Sequence, residues 1–289
     1  HITDACIGAA GLVSQNLSFV DLTNASWNID AKDLVSKTQL ESLLILNDFQ
    51  VLGYSLNTIS LDDERIIPIR KMNEKSAKKP RIMIGAGSGM GKAVLRYDEA
   101  NQLFHAFDSE GGHADIPAYT DFELELFQSI QQKKHQQYPV SYEDFLSGEG
   151  IVDIYEFLRS KELFSDTVKT KEIEQVSNKP ELISKYRLED DYCKETFRLF
   201  RRFFARCAKN LALDSLALGG VFIAGGIALK NKDIFLSNEF RNEFNQNFKR
   251  YDLIKTIPLY LLSDYYLSIK GACFVAAHTD MIMKKQLII

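Results

Sequence analysis

The pair Asn47-Asp48 ends a continuous apolar run, residues 43–46, and is followed by an apolar-rich helical pattern. A carboxylate at this place could accept a proton or bind a ligand, because open α/β sheets hold their ligands beyond the carboxyl ends of the strands. Asn and Asp also favour strand ends and helix starts through turn chemistry alone. This stretch by itself therefore leaves two interpretations open, a plain turn and a functional site.

A second candidate is the glycine-rich stretch GAGSGMG, which directly follows the predicted strand RIMI. Its alternating glycines are Gly85, Gly87, Gly89 and Gly91. A dinucleotide fingerprint fails because position 90 is Met90, and a P-loop ending at Lys92 fails because positions 86 and 93 are alanine. What remains is a turn with one hydroxyl, Ser88, whose backbone N–H groups could cradle a phosphate. The alternative is a purely structural hairpin of glycines.

Three further features could carry chemistry. Glu110 and His113 flank two glycines in SEGGHAD, so a tight loop could present both side chains to one ligand, although an isolated His is often an ordinary surface or core residue. Glu143 falls in the first turn of a predicted helix, where a carboxylate also complements the helix dipole. Gly225-Gly226 follow an apolar strand and could let a base or ribose lie against the backbone, or merely allow close packing.

The strands that must position these residues alternate with helices, which predicts an α/β fold with mixed sheets. We predict strands within residues 4–13 and 16–30, a buried strand at 43–48, and later strands near 219–224 and 256–262. The segments near 66–70 and 81–86 are predicted to form two strands around a charged hairpin. Its lysine-rich tip, Lys75 to Lys79, is interpreted as a solvated loop.

Helices are predicted over residues 36–44, from Asp48 to about 56, from Thr120 to about 135, from Ser141 onward, over 190–212 and at the end of the chain. The starts at Thr120 and Ser141 rest on capping-box patterns. Residues 165–189 are interpreted as a polar connection. The basic residues late in the long helix are predicted to form a solvated face rather than a nucleic-acid patch, and are Arg198, Arg201, Arg202, Arg206 and Lys209.

The composition is that of a globular protein with one large domain or two, since the chain has 289 residues, 45% of them apolar and 26% charged. A net charge of −4 gives no reason to expect nucleic acid or a membrane as a partner. The four cysteines show no CxxC spacing, which favours a reducing, cytoplasmic location over a zinc site or disulfide framework. No signal peptide is recognisable, and no apolar run reaches the roughly 18 residues of a membrane span.

Six segments occur in an order and spacing that resemble bacterial-type glucokinases, which are sugar kinases of the actin-like ATPase superfamily. They are LTNASW, LLILNDF, IGAGSGMG, SEGGH, VSYEDFLSGEG and GGVFIAGGIAL. The resemblance covers essentially the whole chain. It implies a two-domain actin-like ATPase (ribonuclease H-like) fold with mixed sheets flanked by helices, in which residues 1–60 and 265–289 form a small domain and 61–264 a large one.

The resemblance also implies the activity, which is phosphorylation of glucose to glucose 6-phosphate with ATP and Mg²⁺, in a possible homodimer. Two alternatives stay open: a kinase for another hexose, such as mannose or an amino sugar, and a non-catalytic sugar-binding protein of kinase descent. By resemblance, Asp48 is the general base and Asn47 holds sugar hydroxyls. The further sugar ligands are Glu110, His113 and Glu143. The nucleotide-binding residues are Gly85, Gly87, Ser88 and Gly89 of the second phosphate loop, and Gly225 and Gly226 of the adenosine-binding turn.

Two features depart from the family pattern. The family's Asp-x-Gly-Gly-Thr hairpin, which binds phosphate and organises magnesium, does not occur in this sequence. Because the chain also opens on a strand already in progress, we expect further sequence before residue 1, within the small domain. The second departure is the segment LSIKGACFVAA, which stands where the family has a more apolar, glycine-led turn.

Overall fold

The computed structural model describes residues 2–23, 25–71, 76–134 and 137–286. Within these residues the strands form three sheets. The first is a parallel pair, β1 (Asp4–Ala9) with β5 (Ser42–Asn47). The second is an antiparallel meander of β2 (Gly11–Val13), β3 (Phe19–Leu22) and β4 (Asn28–Asp30).

The third sheet is mixed and has six strands in the order β6-β11-β10-β7-β8-β9. Their bounds are β6 (Ile66–Arg70), β7 (Arg81–Ala86), β8 (Met90–Asp98), β9 (Leu103–Ser109), β10 (Gly220–Ala224) and β11 (Leu259–Leu262). Strands β7, β10 and β11 run parallel, while β6, β8 and β9 pair antiparallel with their neighbours. This arrangement agrees with the predicted α/β fold with mixed sheets.

Helices follow most strands of the parallel part. They are α1 (Ala31–Ser36), α2 (Asp48–Tyr54), α3 (Asp121–Lys133), α4 (Gly148–Ser160), α5 (Val168–Glu174), α6 (Lys179–Lys185), α7 (Asp191–Asp214), α8 (Gly226–Lys230), α9 (Lys232–Leu236), α10 (Asn238–Asn245), α11 (Tyr251–Ile254), α12 (Leu267–Ala277) and α13 (Thr279–Gln286). The predicted strand at 43–48 and the helix after it are confirmed, as are the strands before Gly225 and near residue 260.

Helices cover both faces of the large sheet. Alternate side chains of each strand point to opposite faces, so one strand contributes to the core on both sides. In β7, Ile82 and Ile84 belong to the core shared with α4 and α7, whereas Met83 belongs to the core shared with α2 and α12. Helices α12 and α2 approach very closely, since a Cβ on Gly271 would lie 1.9 Å from the carbonyl oxygen of Val51. Only glycine permits that approach, and it fixes the helix that begins at Asp48.

Helix α12 packs against β1 and α2, while α2 also packs against β7, β8 and β9. The packing of α12 against β1 and α2 agrees with a unit that combines the two ends of the chain. The packing of α2 against β7, β8 and β9 also connects α2 to the large sheet. The division into residues 1–60 with 265–289 and residues 61–264 therefore stays a prediction.

The predicted helix over residues 36–44 is wrong. The first helix lies earlier, because Asp30 caps it by accepting a hydrogen bond from the backbone N–H of Lys32 at 2.8 Å. β5 already begins at Ser42, whose hydroxyl donates a hydrogen bond to Asp4 on the neighbouring strand. The apolar residues of this stretch thus lie in the parallel strand pair and do not form the face of a helix.

The predicted hairpin between residues 66–70 and 81–86 is also wrong. Both strands exist, but β6 pairs with β11 and β7 pairs with β10 and β8. Two strands from the far end of the sequence therefore lie between them. Lys78 and Lys79 are exposed, as predicted for the loop, and Lys75 lies outside the described residues.

The helix predicted to start at Ser141 begins instead at Gly148, with Ser147 as its cap. Ser141 and Asp144 do form a local side-chain bond of 2.9 Å, but it closes a turn rather than a helix. Glu143 consequently precedes the helix and does not lie in its first turn. The polar connection at 165–189 contains α5 and α6, and the long helix that follows is confirmed as α7.

The solvated face predicted for the basic residues of α7 is wrong for Arg206 and Lys209, which are buried. Arg206 lies between two carboxylates, 2.7 Å from Glu123 and 2.6 Å from Glu243. Lys209 donates a hydrogen bond to the carbonyl oxygen of Gln246 at 3.0 Å. These two buried cations thus have acceptors that are distant from them in sequence.

Candidate active site

One cleft of about 430 Å³ brings together all of the predicted site residues except Gly85. These are Asn47, Asp48, Gly87, Ser88, Gly89, Glu110, His113, Glu143, Gly225 and Gly226. They come from the end of β5, the β7–β8 turn, the loop after β9, the turn before α4 and the start of α8. Segments separated by up to 180 residues thus face one space, which a plain turn at each position would not require.

Asn47 and Asp48 serve both the turn and the cleft. The Asn47 side chain caps α2 by accepting hydrogen bonds from Phe49 N–H at 2.9 Å and Gln50 N–H at 3.3 Å. Asp48 opens the helix and remains accessible to solvent in the cleft. Desolvation by the surrounding protein raises the pKa of its carboxyl group, although the Phe49 N–H partly opposes this rise. A raised pKa suits a proton acceptor.

The glycine stretch forms the hairpin between β7 and β8, with residues 87–89 at its tip. Gly85 and Gly91 face each other across the hairpin, and the ring of Phe49 lies against both. A Cβ on Gly91 would lie 1.9 Å from that ring, and a Cβ on Gly85 would lie 3.0 Å from it. These two glycines therefore let α2 dock on the hairpin. Gly85 lies inside β7 and does not line the cleft.

The tip of the hairpin has a different environment. A Cβ on Gly87 would meet no atom within 4 Å, so the Cα of Gly87 faces open space, while its N–H donates a hydrogen bond to the Gly89 carbonyl at 2.8 Å. The Gly87 carbonyl accepts a hydrogen bond at 2.9 Å from the N–H of Gly148, at the start of α4. Helix α4 thus fixes the tip from behind and leaves the Gly87 and Ser88 side open to a ligand.

Two carboxylates and one imidazole form a second wall of the cleft, next to the hairpin tip. His113 Nε2 lies 3.6 Å from Glu110 Oε2, and His113 Nδ1 lies 3.9 Å from Glu143 Oε1. Both separations exceed ordinary hydrogen-bond lengths, so the three side chains keep free bonding capacity toward a ligand. Glu143 is also anchored, because its Oε2 accepts a hydrogen bond at 2.8 Å from the N–H of Met90. The wall and the glycine hairpin are therefore physically connected.

Gly225 and Gly226 line the cleft beside the hairpin. Gly225 has φ of +93°, and a Cβ there would lie 2.5 Å from the carbonyl oxygen of Ala86. A side chain is thus disfavoured by both the backbone conformation and the space. Gly226 is open, since a Cβ would meet only the Tyr265 hydroxyl at 3.9 Å.

Comparison with known proteins gives a consistent result. The sequence model of the family described as "Glucokinase" matches residues 1–279. The chain belongs to the glucokinase family. Glucokinase of Trichormus variabilis is 31% identical in an alignment that covers 96% of this chain and 82% of that protein. Glucokinase of Agrobacterium fabrum is 31% identical over 87% of this chain and 70% of that protein.

Solved glucokinase structures share the fold. The enzyme of an Antarctic psychrotroph matches with a TM-score of 0.72 and 25% identity, over 94% of this chain and 80% of that one. A Balamuthia mandrillaris glucokinase in complex with glucose matches with a TM-score of 0.79 and 21% identity, over 96% and 79% of the two chains. The predicted actin-like ATPase fold of sugar kinases is thereby confirmed.

Lys92 and Thr23 also line the cleft of this glucokinase-family chain, and the sequence pattern did not single them out as site residues. Thr23 belongs to the segment LTNASW, to which the family resemblance assigns no site residue. Lys92 stands at the lysine position of a P-loop pattern that fails at residues 86 and 93.

Among the described residues, no helix has the length and apolar character needed to cross a membrane.

The two tip glycines should respond differently to alanine. Neither has φ in the left-handed region, so the backbone tolerates the change. A Cβ on Gly89 would lie 2.6 Å from Glu143 Oε2 and must displace that carboxylate. We expect Gly89→Ala to raise the KM for glucose about tenfold, the effect of losing roughly one hydrogen bond to a charged group.

Gly87→Ala is the matched control because the added methyl meets no protein atom. If phosphate approaches this backbone, Gly87→Ala should raise the KM for ATP and leave that for glucose nearly unchanged. Steady-state kinetics with each substrate varied in turn would measure both values. Equal glucose KM values in Gly89→Ala and the parent would contradict the steric link to Glu143.

Proposed function

We propose that this chain phosphorylates glucose with ATP and that Asp48 is the general base. The observation that carries the proposal is that Asp48 lines the same cleft as two walls of different chemistry. One wall offers carboxylates and an imidazole, which suit sugar hydroxyls. The other offers glycine backbone and one hydroxyl, which suit phosphate oxygens. Membership of the glucokinase family supports the same assignment.

In the proposed reaction, Asn47, Glu110, His113 and Glu143 hold the hydroxyls of glucose so that the 6-hydroxyl faces Asp48. The carboxylate of Asp48 accepts the hydroxyl proton as the oxygen attacks the γ-phosphorus of ATP. A P–O bond to the sugar forms, the bond to the β-phosphate oxygen breaks, and ADP leaves. Ser88 and the Gly87 and Gly89 backbone hold the phosphates, while Gly225 and Gly226 contact the nucleoside.

Mg²⁺ would neutralise the phosphate charge when it is bound. The described residues contain no group of three His, Cys, Asp or Glu side chains suited to a metal ion. Mg²⁺ does not need such a group in a kinase, because it keeps several waters and binds largely through the phosphates of the nucleotide. A metal ion that enters with ATP would therefore need few ligands from the cleft itself.

A coupled assay of ADP release, with glucose, mannose and glucosamine compared, tests this function. We expect glucose to give the highest kcat/KM. A clear preference for another hexose would replace glucose in the proposal. Binding of glucose without ATP-dependent turnover would instead favour a non-catalytic sugar-binding protein of kinase descent.

Sugar recognition can be tested at Glu110 and His113. If they hold sugar hydroxyls, Glu110→Gln and His113→Ala should each weaken glucose binding at least about tenfold, because removing one partner leaves a polar group unpaired. Both side chains are half-exposed in the free protein, so folding should be little affected. Calorimetric titration of glucose measures the affinity, and the melting temperature is the control. Unchanged affinity in both folded variants would remove these residues from the sugar site.

A further inference from the structure

Lys92 is a buried cation next to the proposed sugar site. It follows Gly91 on β8 and is only 5% exposed. Among the described residues it forms no salt bridge. A buried lysine side chain must find acceptors within the protein to offset the loss of its hydrogen bonds to water. The contacts of the Lys92 ammonium group explain why a charged side chain can be buried here.

The ammonium group points into the protein rather than toward the glycine hairpin. It donates a hydrogen bond to the carbonyl oxygen of Gly111. Its Nζ atom lies 4.6 Å from the centre of the Tyr142 ring, within the range of a cation–π contact. Burial raises the pKa of the Cys207 thiol on α7 to about 11, and the neighbouring Lys92 partly lowers it. Lys92 therefore does not occupy the phosphate-binding position of a P-loop lysine.

The bond from Lys92 is one of several that hold the loop at Gly111, whose carbonyl also accepts from the Ala114 N–H at 3.3 Å and whose N–H donates to Ser109 Oγ at 3.1 Å. Gly111 lies between Glu110 and Gly112, in the short 3₁₀ turn Gly111–His113. The Gly112 carbonyl accepts a hydrogen bond from the N–H of Glu143 at 2.9 Å. The His113 N–H donates a hydrogen bond to the Glu110 carbonyl oxygen at 3.0 Å, whereas the side-chain atoms His113 Nε2 and Glu110 Oε2 are 3.6 Å apart. The backbone must therefore set where these two side chains stand, and Lys92 is one of its fixed points.

We infer that Lys92 is a positioning residue for sugar recognition, which holds the loop of Glu110 and His113 in place through the Gly111 carbonyl. The inference rests on the proposed function, since it assigns that loop to the sugar. Lys92 acts through the loop and not on the phosphates. Replacing Lys92 should therefore lower the affinity for glucose and leave the affinity for ATP nearly unchanged.

The test replaces Lys92 with methionine, which keeps the apolar stem and removes the charge and the donor. We expect Lys92→Met to weaken glucose binding about tenfold, the size of one lost charge-assisted hydrogen bond. The affinity for ATP should change less than about twofold, because the hydrogen bond of Lys92 goes to the Gly111 loop and not to the glycine hairpin. Calorimetric titrations of glucose and of ATP measure both affinities without depending on turnover.

Lys78→Met is the matched control. Lys78 also stacks on an aromatic ring, with Nζ 4.8 Å from the centre of Tyr97, and it pairs with Glu99 at 2.9 Å outside the cleft. It should leave both affinities unchanged. If Lys92→Met does not fold, Lys92→Gln keeps a donor for Gly111 while removing the charge, and its glucose affinity should fall between those of parent and Lys92→Met.

Hydrogen exchange separates positioning from a general loss of stability. In Lys92→Met, the amides of residues 110–113 should exchange faster while those of the large sheet keep their protection. Unchanged glucose affinity, or equal losses for glucose and ATP, would overturn the inference. A parent that binds glucose without phosphorylating it would overturn the proposed activity, yet a selective glucose loss in Lys92→Met would still support the role of Lys92.

Discussion

Asp48→Asn is expected to lower kcat about 10²–10⁴-fold, the usual contribution of a positioned general base. Asparagine has nearly the same shape and can still accept the hydrogen bond that Asp48 receives from the Phe49 N–H at 2.9 Å. It cannot accept the proton of the sugar hydroxyl. Glucose affinity should therefore change much less than kcat. A kcat within a few-fold of the parent would exclude Asp48 as the base.

The pH dependence gives an independent check on the same residue. Desolvation by the protein around the cleft raises the pKa of Asp48 above its ordinary value of 3.8, although the carboxylate remains accessible. The base acts only when it is deprotonated, so kcat/KM should rise with pH through this raised pKa and then level off. This acidic limb should disappear in Asp48→Asn. Asp121→Asn is the matched control, since Asp121 is likewise the first residue of a helix but does not line the cleft.

Part of this site could be predicted from the local sequence. The strand that ends at Asn47 was predictable because four successive apolar residues, all buried in the structure, precede an amide and a carboxylate. The polar pair then had to lie at a strand end, where both helix capping and ligand binding occur. The six ordered motifs supplied the roles, which no single residue could specify.

Strand pairing was not predictable in the same way. β6 and β7 are neighbours in sequence and are separated by a charged, lysine-rich stretch, so a hairpin was the local expectation. Their actual partners, β11 and β10, begin more than 130 residues later. All four strands are largely apolar, and an apolar pattern does not determine which strands pair with each other.

The alternating glycines show the same limit at the scale of single residues. Gly85 and Gly87 are indistinguishable in sequence, yet Gly85 makes room for Phe49 and Gly87 faces open space. Gly85 is enclosed by the Ala224 carbonyl and the ring of Phe49, so the nucleotide contact predicted there stays a prediction without support from the cleft. Arg206 is a similar case, since its partners Glu123 and Glu243 lie on helices distant in sequence.

Glu143→Ala is expected to lower kcat/KM for glucose about 10²–10³-fold, because it removes two interactions at once. A charged partner of a sugar hydroxyl contributes roughly 1.5–3 kcal/mol, and an amide left without its acceptor costs about 1–3 kcal/mol. That amide belongs to Met90, which is 6% exposed and starts β8 directly after the hairpin tip. The KM for ATP should rise several-fold as well, since the tip loses its anchor.

Glu143→Gln separates these two effects. The amide oxygen of glutamine can still accept the hydrogen bond from the Met90 N–H, while the charge toward the sugar is lost. We expect the KM for glucose to rise about tenfold and the KM for ATP to stay near that of the parent. Steady-state kinetics of both variants, with each substrate varied, supply the comparison. If both variants raised the KM for ATP equally, the Met90 hydrogen bond would not couple the sugar wall to the glycine hairpin. If neither changed the response to glucose, Glu143 would act only as an anchor of the hairpin.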